Sequence, residues 1–375
     1  MPVAALDGTV PGRASPNVVV AAARDLFPGY FAMVMATGAL SIGANLLGLR
    51  AISVPLLAVN VLAFATLWSL TVVRLTIFFP RIVADLKDHA RGPGFFTLVA
   101  GTCVFGSQCW VVAGSAPVAL VLWFVGLALW ITVMYSFFTA VTIRARKPTI
   151  ETGINGAWLI AAVATQAVSV LGSLLAPTFG AGRHLVLFVA LCMFFVGCML
   201  YLAIITLIFY RLTFIRLTPQ TMAPPYWINM GAVAITTLAG ATLILHAGEW
   251  SFLQEIRPFL LGWTLFFWVS ATWWIPLLFI LMIWRHVYMR YPLTYDPTYW
   301  GMAFPLAMYT TGSFQLFTAL DLPFMLILPR GFVFLAVTVW IGTFAGLLHS
   351  VYRAWATRAS PVVTGAAGAG PQFPA

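Results

Sequence analysis

The sequence predicts an all-α integral membrane protein whose ten transmembrane helices form five helical hairpins. Its composition excludes a soluble domain, because 62% of the 375 residues are hydrophobic and only 7% are charged, whereas soluble domains carry about 25% charged residues. The mean hydropathy of +0.99 points the same way. A chain with so little polar surface cannot cover itself in water, and we therefore expect it to lie in a lipid bilayer.

Ten apolar runs are long enough to cross the hydrocarbon core, which takes about 20 residues of helix. They cover 27–49, 52–79, 95–113, 116–143, 154–175, 184–210, 227–247, 258–284, 301–320 and 330–355. We interpret residues 24–355 as one transmembrane domain. A short cytoplasmic tail at 1–23 precedes it, and a Gly-, Ala- and Pro-rich disordered tail at 356–375 follows it.

The distribution of Lys and Arg supports both the count of ten helices and their orientation. Of the 19 basic residues, only four (Arg50, Arg183, Arg257 and Arg330) lie on the side of the membrane opposite the N-terminus, and the other fifteen lie on the N-terminal side. Basic loops favour the cytoplasm. The pattern predicts that both termini are cytoplasmic and that the protein is a multi-pass component of the cell's inner (plasma) membrane.

The odd-numbered spans share small and polar residues near their centres, whereas the even-numbered spans are longer and more apolar. These patches recur roughly every 60 to 75 residues, as expected for one hairpin per repeat. A ring of five such helices predicts a pore, although small and hydroxyl residues are also typical of close helix packing. The pore-lining candidates are Thr37, Gly38, Ser41, Thr102, Ser107, Gln108, Thr165, Gln166, Thr236, Thr237, Thr310, Thr311 and Ser313.

The predicted pore suits an anion. No Asp or Glu lies deep in any span, so the chain has no acidic ring of the kind that cation channels use. The formal net charge of +10 resides in short loops, where it would attract anions to the mouths. Scattered basic loops are not a nucleic-acid surface, and we expect no nucleic-acid partner.

The sequence gives no sign of an enzyme. It lacks a zinc-protease motif, a P-loop and a serine-hydrolase elbow in a usable context. Its four cysteines lie inside apolar runs without metal-ligand spacing. We therefore expect no catalytic residues, no metal and no cofactor.

The ninth span contains a proline beside a bulky ring, Phe304-Pro305. A proline inside a helix removes one backbone hydrogen bond and bends the helix. The sequence therefore predicts a bend at Pro305 that places the Phe304 ring there.

Four stretches in order resemble one family: "FPGYFAMVMATGALSIG", "RGPGFFTLVAGTCVFGSQ", "PPYWINMGAVAITTLAGA" and "YWGMAFPLAMYTTGSF". The chain resembles the tellurite-resistance and dicarboxylate transporter family from about residue 25 to residue 350. That family includes fungal malate permeases, sulfite pumps and the plant slow-type anion channels.

The resemblance implies five hairpins in quasi-fivefold symmetry around a central pore lined by the odd helices. It also implies a homotrimer with one pore in each protomer. By position in "WGMAFPL", Phe304 corresponds to the phenylalanine that gates the pore in this family. Phe31, Phe105 and Phe267 are candidates for secondary constrictions.

Three functions follow as hypotheses. The first is a channel or uniporter for small inorganic or organic anions, gated at Phe304, in which selectivity depends on anion dehydration and pore width. The second is a coupled carrier that exports or imports a dicarboxylate such as malate, or a sulfite- or tellurite-type oxyanion. The third is a membrane enzyme or sensor, which the missing catalytic motifs and soluble domain disfavour.

Overall fold

Ten long helices make up most of the chain in the computed structural model, which describes residues 18–359. No strand occurs in this range. The helices are α1 Ala32–Leu46, α2 Arg50–Ile77, α3 Phe96–Val111, α4 Ala116–Ile143, α5 Ile160–Leu175, α6 Arg183–Phe214, α7 Ile228–Leu245, α8 Arg257–Ile283, α9 Trp300–Ala319 and α10 Ile327–Ala359. The predicted all-α membrane fold is confirmed.

By length and composition, eight segments of the described chain can cross a membrane. One of them, Gly156–Phe214, contains both α5 and α6, so nine of the ten helices fall within these segments. The exception is α9, whose central residues include Tyr309, Thr310, Thr311 and Ser313. It packs between α7 and α1.

The odd-numbered helices α1, α3, α5, α7 and α9, here called the inner helices, form a closed ring. Each contacts the next inner helix along the chain, and α9 contacts α1. In α7, 94% of the membrane-spanning window is buried, and in α3 the share is 89%. Helices with neighbours on every side need small residues, because these allow backbones to approach closely.

The even-numbered helices, here called the outer helices, surround this ring. Each packs against the inner helix before it and against the next inner helix, and α10 closes the circle by contacting α9 and α1. Only 22% of the spanning window of α8 is buried. Large apolar residues such as Leu62, Phe124 and Trp273 are exposed on the outer helices, as a lipid-facing surface requires.

A single 3-10 turn precedes every inner helix, and this repetition is the clearest local sign of five equivalent units. Gly or Pro near the start suits such a turn, since a proline there loses no helical hydrogen bond. The turns are Pro28–Phe31, Gly92–Phe95, Gly156–Leu159, Pro224–Trp227 and Pro297–Tyr299.

The ends of the chain lie largely outside the described residues. Within the predicted N-terminal tail, Val18–Arg24 is helical. At the other end α10 continues to Ala359, slightly past the predicted boundary at 355. The remainder of the predicted tails, 1–17 and 360–375, lies outside the described range.

Candidate functional site

A cavity lies inside the inner ring, and all five inner helices contribute to its wall. The space open to water is ≈ 30 Å³, which is room for about two water molecules. Its wall consists of Ala39, Ile42, Val104, Ser107, Val111, Ala167, Val170, Leu174, Ile235, Leu238, Thr242, Met308, Thr311 and Gln315. Because every inner helix borders it, the cavity lies on the axis of the ring.

On each inner helix the wall residues are three or four positions apart, as on α5 with Ala167, Val170 and Leu174. Residues so spaced share one face of a helix. They all lie between the middle and the C-terminal end of the inner helices. The cavity therefore lies towards the membrane side where the inner helices end, away from the side where they begin. We call the side where they begin the basic side, since it carries most of the Lys and Arg.

The cavity wall is mainly apolar and contains no ionisable side chain. Its polar members are Ser107, Thr242, Thr311 and Gln315. Ser107 donates to the Cys103 carbonyl (3.0 Å), and Thr242 donates to the Leu238 carbonyl (2.7 Å). Hydroxyls held by their own helix can rotate towards a ligand, and the amide of Gln315 adds neutral N–H donors.

Thr311 joins two inner helices at the cavity. Its hydroxyl lies 3.1 Å from the Ala39 carbonyl of α1 and 3.2 Å from the Ala307 carbonyl of its own helix. A methyl group added at Gly43 of α1 would lie 2.7 Å from the same hydroxyl oxygen. The contact between α9 and α1 is therefore close and polar at this level.

Phe304 lies one helical turn to the basic side of the cavity wall. Residues 304, 308, 311 and 315 follow the spacing of one helix face, and the last three line the cavity. The Phe304 side chain is 1% exposed. The ring is thus buried one turn before the wall residue Met308.

Pro305 does not interrupt α9, which runs continuously from Trp300 to Ala319. It faces α7, because a methyl group added at Gly231 would lie 2.6 Å from its Cγ. Gly231 thus provides the space for the proline ring. Phe304 is directed a quarter of a turn or so away, as successive helical residues are about 100° apart.

Three of the predicted pore-lining hydroxyls instead face tryptophans of outer helices. Thr37 accepts a hydrogen bond from the Trp340 indole (3.0 Å), Thr165 from Trp130 (2.8 Å) and Ser313 from Trp268 (2.9 Å). In each case the indole belongs to the outer helix that precedes the inner helix around the ring. These bonds connect successive units.

The two predicted glutamines also face outward. Gln108 accepts a hydrogen bond from Asn60 of α2 (2.7 Å). Gln166 donates to the Phe194 carbonyl of α6 (3.0 Å) and fills the space beside Gly197, where an added methyl group would lie 2.4 Å from its Nε2. Both amides therefore join an inner helix to an outer one.

The other small and hydroxyl candidates are buried within the helix packing. Gly38 faces Val104 and Asn60, and Ser41 donates to the Ser53 carbonyl of α2 (2.8 Å). The remaining four are buried and absent from the cavity wall, three of them donating to carbonyls of their own helix: Thr102, Thr236, Thr237 and Thr310. Of the predicted set, the structure brings Ser107 and Thr311 together at the cavity.

The predicted secondary constrictions lie between helix layers. Phe31 packs edge-on against Phe64 and Trp68 of α2 (5.7 Å to Trp68), and Phe105 stacks on Phe64 at 4.5 Å. Phe267 packs edge-on against Tyr201 of α6 at 5.9 Å. None of the three belongs to the cavity wall.

Two polar wall residues were not among the predicted candidates, Thr242 and Gln315. Both lie one or two turns beyond the central patches, at "LAGATLIL" and "TTGSFQLF". Each lies four residues after another wall residue, Thr242 after Leu238 and Gln315 after Thr311. The sequence alone does not identify which helix face carries the axis.

The sequence pattern of the SLAC1 voltage-dependent anion channels matches residues 25–348. This range nearly coincides with the one over which the chain resembles the tellurite-resistance and dicarboxylate transporter family, and that prediction is confirmed. The match includes all five inner helices and the cavity between them.

Several proteins are similar to this chain. An uncharacterized membrane protein of Mycobacterium tuberculosis is 38% identical over 150 residues, which span 40% of this chain and 76% of that protein. An uncharacterized transporter of Methanocaldococcus jannaschii is 26% identical over 340 residues, 88% of this chain and 94% of the relative. The sulfite efflux pump SSU1 of Trichophyton rubrum is 23% identical over 344 residues, 86% of this chain and 90% of the pump.

Proposed function

The chain belongs to the SLAC1 voltage-dependent anion channel family, a family of membrane anion transporters, and we propose that it is a passive channel or uniporter for small anions. The path follows the axis of the inner ring. One observation carries the proposal: a cavity on that axis whose wall is supplied by all five inner helices.

The chemistry of the wall favours anions that shed water easily. Neutral donors at Ser107, Thr242, Thr311 and Gln315 can replace part of an anion's hydration shell, whereas no fixed charge holds the ion in place. An apolar wall makes dehydration the main cost of entry. We expect nitrate to pass more easily than chloride, and chloride more easily than a dicarboxylate.

In this proposal the gate is Phe304, with Pro305 locking the start of α9 against Gly231 of α7. Phe304 shares its helix face with the wall residues Met308, Thr311 and Gln315. Removing the Phe304 side chain would connect the cavity to the basic side. The narrow cavity beyond Phe304 would then be the next barrier to the anion.

Planar-bilayer recording under a chloride gradient tests the gate. We expect Phe304→Ala to raise the anion current about tenfold or more over wild type, as for a barrier lowered by about 1.4 kcal/mol. Phe105→Ala is the matched control, because it also removes a buried ring of an inner helix, one that stacks on Phe64 between layers. A folded Phe304→Ala protein with wild-type current, or an equal rise in Phe105→Ala, contradicts the proposal.

Coupled export of sulfite is the second candidate function, because a sulfite efflux pump aligns with 86% of this chain. A neutral wall suits the singly protonated anion, so the proton would travel on the substrate. The reversal potential separates the two candidates. For a channel it follows the anion gradient alone, whereas for a proton-coupled carrier it shifts when a pH gradient is imposed.

Three further features are proposals that rest on the family and on the charge distribution: a homotrimer with one path in each protomer, residence in the inner (plasma) membrane, and cytoplasmic termini. Native mass spectrometry of the detergent-solubilised protein tests the trimer. Protease access to the tails in sealed cells and in inverted vesicles tests the orientation.

A further inference from the structure

Three outer helices carry a buried arginine near their ends on the basic side. These are Arg74 of α2, Arg211 of α6 and Arg285 in the π-helical turn that extends α8, with exposures of 4%, 6% and 5%. A buried guanidinium costs several kcal/mol unless it is paired and hydrogen-bonded. Each of the three therefore calls for polar or acidic partners.

Two of the three have such partners. Arg74 forms an ion pair with Asp85 at 2.7 Å. Arg211 donates to the hydroxyl of Tyr226 and, through Nε, to the Glu151 carbonyl at 3.0 Å. The chain thus gives both guanidinium groups polar or acidic partners from its own loops, although the Nε of Arg74 has no hydrogen-bond partner in the described chain.

Arg285 occupies the equivalent of the Arg211 position in the next unit. Arg211 is followed by the turn "PPYW", which begins α7, and Arg285 by "PTYW", which begins α9. Tyr299 therefore corresponds to Tyr226. Burial raises the pKa of Tyr299 and the positive charge of Arg285 lowers it, so the guanidinium lies near this phenol without a hydrogen bond to it.

Within the described chain, Nε and Nη1 of Arg285 are buried and have no hydrogen-bond partner. No carboxylate in that range pairs with this arginine. The guanidinium lies over the Tyr291 ring, 4.4 Å from its centre. Such a contact stabilises the guanidinium by about 0.5–2 kcal/mol, which is less than burial of the charge costs.

The segment around Arg285 is fixed by its own backbone. Tyr291 donates its N–H to the Arg285 carbonyl (3.0 Å), and its own carbonyl bonds the His286 Nδ1 (2.9 Å). The Tyr291 ring is thereby held on one face of the guanidinium. The Nε and Nη1 donors are thus held in a fixed position with no acceptor within the described chain.

We infer that Arg285 binds a phosphate-type oxyanion at the basic side of the α8–α9 hairpin. Planar N–H donors match the oxygens of such a group, and the acceptor supplies what Glu151 and Tyr226 supply to Arg211. The site is distinct from the axial cavity, whose wall includes none of these residues. Neighbouring Val287 and Tyr288 are 69% and 78% exposed, so the oxyanion is either a lipid headgroup phosphate or a free ion.

Thermal unfolding of the full chain in a neutral detergent tests the site and distinguishes the two sources. One arm adds inorganic phosphate against chloride at equal ionic strength, and the other adds phosphatidylglycerol against phosphatidylcholine. A ligand that binds only the folded state raises the apparent Tm, here by about 2 °C or more. We expect this rise in wild type and in the exposed control Arg146→Gln, and its loss in Arg285→Gln.

A rise with phosphate assigns the site to a free ion, and a rise with phosphatidylglycerol alone assigns it to a headgroup. Equal shifts in Arg285→Gln and wild type, or no shift in wild type, overturn the inference. If Arg285→Gln does not fold, amide hydrogen exchange of the wild-type protein, measured with and without the ligand, tests the site instead. The effective ligand should protect residues 284–299 and leave 211–227 unchanged, because Arg211 is already paired; equal protection of both segments, or of neither, contradicts the site.

Discussion

The inner ring and the outer layer both lie in the membrane, but their helices have different surroundings. In α7 of the ring, 94% of the spanning window is buried, against 22% in α8 of the outer layer. Yet several polar side chains of the ring bond to the outer layer, and the cavity wall is mainly apolar. The difference teaches that hydroxyls and amides on a buried helix can hold layers together as well as line a path.

The recurring bond between the layers is an indole donating to a hydroxyl. Trp130, Trp268 and Trp340 make it to Thr165, Ser313 and Thr37. In a bilayer the hydrophobic effect does not drive helices together, so hydrogen bonds and close packing have this role. The Trp340 bond joins the last outer helix, α10, to the first inner helix, α1.

The largest expected effect concerns the ion pairs at the basic end of the outer layer. Asp85→Asn would leave Arg74 buried without its counter-ion, 2.7 Å away in wild type. We expect the free energy of unfolding to fall by about 3 kcal/mol, as when one partner of a buried pair is removed. Asp25→Asn is the control, because its pairs with Arg24 and Arg81 are exposed, and it should change the free energy of unfolding much less. Similar losses in both variants would contradict this comparison.

The same site predicts how stability depends on pH. Burial alone would raise the pKa of Asp85, but hydrogen bonds and charges of Arg91 and Arg74 bring that pKa below its ordinary value. Because the folded pKa is the lower one, the stabilisation is present above the unfolded value of about 3.9. It is lost as the pH falls through the folded pKa. The gap in Tm between wild type and Asp85→Asn should therefore narrow below about pH 4; a gap that widens there refutes the assignment.

A smaller effect on stability compares a glycine in close backbone contact inside the inner ring with a glycine beside open space on an outer helix. A methyl group added at Gly312 of α9 would lie 2.7 Å from the Ala234 carbonyl oxygen of α7, a backbone atom that cannot turn aside. Gly312→Ala should cost about 1–3 kcal/mol. Gly342→Ala on α10 meets nothing within 4 Å and should not lower the apparent Tm, because Ala favours a helix more than Gly does. If both variants unfold like wild type, the ring is looser than described.

The smallest effect tests the bond between the layers. Thr165→Val keeps the shape of the side chain but leaves the Trp130 indole N–H buried without an acceptor, at a cost of about 1 kcal/mol. Thr132→Val, whose exposed hydroxyl bonds only its own helix, should have almost no effect. Anion current should be unchanged in both folded variants, and a changed current in Thr165→Val would place Thr165 on the path after all.

Much of the fold is predictable from the sequence, and the reason is physical. Outer helices such as α4 are largely apolar, and most basic residues lie in every second loop, on one side of the membrane, so hydropathy and charge identify the spans and their order. Which side of each inner helix faces the axis is not predictable in this way. Thr165 and Ala167 are two residues apart, and the first faces Trp130 while the second lines the cavity. A helix buried on every side has no polar face that marks the axis.

The most direct test of the path is blockage of anion current by a charged thiol reagent in Phe304→Ala proteins whose four native cysteines are replaced by alanine. Ser107→Cys and Thr165→Cys both place a thiol at a buried hydroxyl position of an inner helix. Only Ser107 lines the cavity. The proposed path predicts that the reagent reduces the current of Ser107→Cys and leaves Thr165→Cys unaffected. Blockage at Thr165→Cys with none at Ser107→Cys would show that anions do not follow the axis of the inner ring.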